Sequence, residues 1–192
     1  MRPLRVLALL LCVSTLAVAA AGCGGGGGTS YSGTEPDEWA EAVCGALGDW
    51  AKGLKAESDQ LGTSLQGTRD LNVVKQTFVA FLERAERSSR TMVTRISGAG
   101  APAVEDGAAI QEQLVSGLAG AQASFARAIV RAKKLPTTNP QAFSTGVQSL
   151  GTDVQEELTA VGEKFNSLGD RYDDDSLNEA TSNEPACSEI SG

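Results

Sequence analysis

The chain has 192 residues, a net charge of −8 and no histidine. Without histidine there is no Ser-His-Asp or Cys-His nucleophile, no imidazole-bound zinc or copper and no Glu-x-x-His iron motif, and with only Met1 and Met92 there is no methionine-rich copper site. The acidic surface would be repelled by DNA and by anionic headgroups, so nucleic-acid binding is not expected and the charge serves solubility.

In chain order, Arg2 and Arg5 precede an apolar run over residues 6–18, and Ala20-Ala21-Gly22 makes a small-residue exit. That layout reads as a secretory signal peptide. With Cys23 next, the sequence Ala20-Ala21-Gly22-Cys23 resembles the lipobox of bacterial lipoproteins, although Ala20 stands where leucine is usual. The resemblance implies that Cys23 takes a diacylglyceryl group, that residues 1–22 are removed, and that Cys23 becomes the N-terminus. Ordinary cleavage near residues 19–21, releasing a soluble protein, is one rival outcome. An uncleaved anchor is the other, about 17 apolar residues being at the low end for a span.

Glycines 24–28 open a Gly/Ser/Thr-rich stretch, so residues 23–34 read as a lipidated cysteine plus tether. A flexible coil of about ten residues has an r.m.s. reach of roughly 16–19 Å, which would hold the folded part just off the bilayer. No GKS or GKT follows the glycines, so they are not a phosphate loop. Two acyl chains would make the anchor durable. Residues 23–192 hold 14 basic and 24 acidic side chains, a net charge of −10.

Cys12 leaves with the leader and Cys23 takes lipid, so Cys44 and Cys187 remain. In an oxidising compartment a disulfide between them is expected, tying the first helix to the C-terminal tail; two buried free thiols are the alternative. No CxxC motif or histidine partner supports a catalytic thiol.

From residue 35 onward, helical periodicity dominates and strand signals are absent. Thr34 offers a capping hydroxyl and Pro36 suits the first turn. Trp39, Val43, Ala46, Leu47, Trp50 and Leu54 then recur at three- and four-residue steps. Leu61 and Leu65 extend the stripe, with Gly62 and Gly67 leaving its end open. Asp70 caps a second helix carrying Leu71, Val74, Phe78, Phe81, Leu82, Ala85, Met92 and Ile96, which Gly98, Gly100 and Pro102 end. A third helix is expected over residues 103–134. Its Gly117, Gly120, Ala121, Ser124 and Ala128 form a small-residue face for close packing or, alternatively, for a slot between helices. Asn139-Pro140 caps a fourth, whose seam runs Phe143, Val147, Leu150, Val154, Leu158, Val161, Phe165, Leu168 and Tyr172. Only a short helical turn over residues 176–181 is expected beyond it.

These segments predict an all-α domain over residues 35–192. The expected form is an antiparallel four-helix bundle, up-down-up-down, its tail disulfide-tied to the first helix. Candidate chemistry is sparse. Asp170, Asp173, Asp174 and Asp175 fail the calcium-loop pattern, because Leu177 and Asn178 fall where an oxygen ligand and a glycine are needed. Glu112, Glu156, Glu157 and Glu163 read as solvated charge rather than a paired-carboxylate catalyst. Trp39 and Trp50 read as core residues rather than a ligand groove. No Ser-x-x-Lys or Gly-x-Ser-x-Gly motif occurs.

The lipobox, the Trp39-Ala40-Glu41-Ala42-Val43-Cys44 segment and Pro185-Ala186-Cys187 together resemble small actinobacterial lipoproteins and secreted helical proteins. That resemblance implies a disulfide-tied helical domain on the extracytoplasmic face of the cell membrane and carries no activity, cofactor or metal. The expected role is a membrane-anchored, non-catalytic helical interaction module of the cell envelope, docking an envelope protein. The alternative is a small-molecule or lipid-binding lipoprotein with an apolar slot of roughly 300 Å³ or more, the scale of ligand pockets.

Overall fold

A computed structural model describes residues 31–172 and 174–191. The leader, Cys23 and the tether to residue 30 lie outside the described residues, as do the side chains of Phe165, Leu168, Asp170 and Asp173. The described chain is all-helical: α1 (Pro36–Leu65), α2 (Leu71–Gly98), α3 (Gly107–Lys133), α4 (Pro140–Arg171), α5 (Asp175–Asn183) and α6 (Pro185–Ser191). Its only bridge of strand type joins Thr34 to Pro102.

Local chemistry accounts for most boundaries. Pro36 opens α1, where its missing N–H costs nothing. Gly62 is carried inside the helix, and Gly67, at φ +73°, turns the chain toward α2. Asp70 caps α2 by accepting from the Asn72 N–H at 2.8 Å. Asn139 does the same for α4 through the Ala142 N–H at 3.0 Å.

Three expectations change. Thr34 does not cap α1: its hydroxyl donates to the Ala99 carbonyl at 2.6 Å, and Glu35 stands at the N-cap without a side-chain bond. The third helix starts at Gly107, not near residue 103. Residues 101–103 instead pair with the N-terminal segment, Thr34 N–H to Ala101 O at 2.8 Å and Ala103 N–H to Thr34 O at 2.7 Å. Finally, the tail is helical almost throughout, as α5 and α6, instead of a single turn.

The long helices pack in chain order, α1 on α2, α2 on α3 and α3 on α4, while α5 and α6 lie on α1. Among the described residues, no comparable packing joins α1 to α4. Two apolar clusters result. One gathers Trp39, Val43, Met92, Ile96, Val104, Ile110 and Leu114, with Tyr172 and Leu177 against it. The other gathers Leu82, Ala85, Phe125, Leu135, Phe143 and Leu150. Each such side chain, fully buried, contributes about 1.5–3 kcal/mol. Of the small-residue face on α3, Gly117, Ala121, Ser124 and Ala128 are buried and Gly120 is exposed, so close packing is its main use. The Cys44–Cys187 disulfide, with Cα atoms 5.0 Å apart, fastens α6 to α1.

Candidate functional site

The open side between α1 and α4 is the principal candidate. There the four long helices leave a groove of about 250 Å³. From α1 come Leu54 and Ser58, and from α2 Phe78, Phe81 and Leu82. Phe125 and Ala128 of α3 form part of the lining, and Leu150, Gly151, Val154 and Leu158 of α4 complete it. The Phe78 and Phe81 rings stack with centroids 6.4 Å apart.

The groove follows from an unfinished seam. Phe143 and Leu150 of α4 are buried, but Val147, Val154 and Leu158 are only partly so. An apolar heptad needs a facing helix to close over it. Near the disulfide, α5 and α6 cover α1; beside Leu54 and Ser58 none of the described elements does, and the stripe meets the groove instead.

Among the described residues, two other hollows are less suited to binding. One of about 280 Å³ is lined, among the described residues, by a single face of α4 that includes Gln155, Glu156 and Glu163. Another of about 220 Å³ lies between α1 and α2 beside the Asp49–Arg95 ion pair.

Polar and charged groups near the core are committed to structure. Glu86 is buried, accepting from Arg90 at 2.6 Å and from Gln122 at 3.1 Å. The Arg90 guanidinium, with help from Gln122, holds its carboxyl below the usual carboxylate range despite burial. Trp50 donates to the Ser89 hydroxyl at 3.0 Å, which in turn donates to the Ala85 carbonyl. Trp39 donates to the Gly100 carbonyl at 3.1 Å and the Gln111 side chain at 3.0 Å. Both indoles are thus held by partners inside the fold, as core residues usually are.

The acidic candidates separate. Glu157 is half-buried and pairs with Arg127; the Ser124 hydroxyl and then Arg127 lower its pKa. Glu112, Glu156 and Glu163 are exposed. Asp174 is the N-cap of α5, its carboxylate lowered by the Ser176 hydroxyl and by the Leu177 and Ser176 N–H groups. Among the described residues, no three acidic or cysteine side chains are grouped as a metal would require. Nor is any described helix long and apolar enough to cross a membrane.

Comparison with protein families, curated proteins and solved structures finds no match to this chain. Sequence reasoning placed the disulfide and the buried Trp39, whereas Trp50 is only partly buried and lines the hollow between α1 and α2. It offered a slot beside the small-residue face of α3, of which Ala128 lines the groove, and Glu86 went unread. Glu86 carried a signal: it lies one residue after Ala85 and three before Ser89, on the stripe that includes Leu82.

Proposed function

We propose that this protein is a lipid-anchored, non-catalytic helical binding module on the extracytoplasmic face of the cell membrane. Cys23 is its anchor, residues 23–34 its tether and the groove its working face. The observation that carries the binding role is an apolar groove open between α1 and α4, with Ser58 its single polar residue. An oxidising compartment suits the Cys44–Cys187 disulfide. Of the two ligand classes expected from the sequence, we favour an apolar small molecule or lipid over an envelope protein on the hydrocarbon lining alone; at about 250 Å³ the groove is smaller than the slot of roughly 300 Å³ expected for it.

The same proposal includes an up-down-up-down course for the long helices, which their cross-helix partners support. Asp49 meets Arg95 and Glu57 meets Arg84 between α1 and α2. Glu86 meets Gln122 and Glu83 meets Lys133 between α2 and α3. Arg127 meets Glu157 and Arg131 meets Asp153 between α3 and α4. In every pair of helices one number rises as the other falls.

Mass spectrometry of the N-terminal peptide, from protein extracted from its native membrane, tests the anchor. The expected peptide begins at Cys23 and carries fatty-acyl mass; one beginning elsewhere, or lacking that mass, overturns it.

A further inference from the structure

We propose that the Cys44–Cys187 disulfide is a redox-operated latch: a dithiol that reduces it frees α5 and α6 from α1 while the four long helices stay folded. The latch depends on neither the groove nor the lipid anchor.

The tail is seated on a row of small residues. Ala40, Cys44 and Gly48 recur at every fourth position of α1 and are buried, yet none of them belongs to either apolar cluster. Cys44 is bonded to Cys187 of α6, and Lys52, the next position of the row, pairs with Glu189 at 2.6 Å. Those two ties lay α6 along the row. Alanine and glycine bring little apolar area, so their burial stabilises the docking only slightly. The fit is also loose, since a Cβ built on Gly48 would meet nothing within 4 Å.

Among the described residues, the tail adds as little from its own side. Ala180 is its one buried side chain, and the partly buried Leu177 is its one residue packed against the first cluster. The second cluster holds no tail residue. Lys52 and Glu189 are both exposed, so their pair holds weakly. Helices of nine and seven residues do not persist alone in water. The covalent bond therefore keeps the tail folded on α1, whereas the long helices keep both clusters without it.

Access points the same way. Cys44 is buried, while Cys187 is half-buried on the outer helix. One thiolate of the dithiol attacks the Cys187 sulfur and expels Cys44 as a thiolate. The second thiol then attacks the dithiol's own sulfur in the mixed disulfide, closing the dithiol to a disulfide and releasing Cys187. Two electrons pass from the dithiol to the protein, and the dithiol's two protons end on the two cysteines.

The test is hydrogen exchange of the full protein, oxidised and after dithiothreitol, well below its melting temperature, with thiol alkylation to show that both cysteines are reduced. The α5 and α6 amides should lose their protection and exchange like an unstructured chain, the α1–α4 amides should stay protected, and reoxidation should restore the tail. Cys187→Ser should show the same loss without reductant. Tail amides still protected with both thiols free, α1–α4 amides exposed together with the tail, or cysteines that yield to dithiothreitol only on global unfolding would each overturn the latch.

Discussion

Glu86 is a carboxylate in the wall between α2 and α3, and removing it strands its partners. Glu86→Ala takes the acceptor from Gln122 and Arg90, and the expected loss is about 1–3 kcal/mol in urea unfolding. Because folding lowers its pKa, ionised Glu86 contributes stability that is present above its unfolded value and lost as pH falls through the folded one. Acid unfolding should therefore depend less steeply on pH below the ordinary carboxylate range in Glu86→Ala than in the wild type. The slope should not vanish, since Asp174, Glu157 and Glu83 are shifted the same way. An unchanged slope would remove Glu86 from the acid response. Gly107 is constrained by space: a Cβ there would sit 1.9 Å from the Pro102 carbonyl oxygen. Gly107→Ala should cost about 1–3 kcal/mol through forced backbone movement, read as a lower melting temperature. No sequence pattern identifies that glycine, because the crowding comes from a turn that the N-terminal segment holds in place.

At the scale of elements, legibility depended on whether a helix end was set locally. Asp70 and Asn139 cap helices through atoms two or three residues away, so their roles were readable. Thr34 bonds Ala99, 65 residues distant, and the delayed start of α3 follows from that long-range pairing. The α5–α6 tail eluded a periodicity test for a different reason: each helix is too short to show a repeat, and stability comes from docking on α1. Cys44–Cys187 secures that docking. In the chain-entropy account a loop spanning 143 positions contributes about 4–5 kcal/mol. Cys44→Ser should lower thermal stability accordingly and expose the amides of α5 and α6 to hydrogen exchange. Equal melting temperatures with and without reductant would show that the bond carries no structural load.

Taken whole, the molecule has two unlike ends. At one, Thr34, Trp39, Gly100, Gln111 and the disulfide lock the entry of the chain and its tail onto α1 and the α2–α3 turn. At the other, four amphipathic helices meet with no cover among the described residues, and the apolar groove remains. The four stripes were legible in the sequence, since burial imposes a helical period. Their incomplete closure was not, because a half-exposed Val154 or Leu158 has the same period as a buried one. Native mass spectrometry of the full protein, purified from its native cells in mild detergent, tests the central claim most directly. One apolar ligand per chain, lost on harsher activation, is the result this account predicts; a chain that carries no such ligand in repeated preparations, and takes up none when offered palmitate, would contradict it.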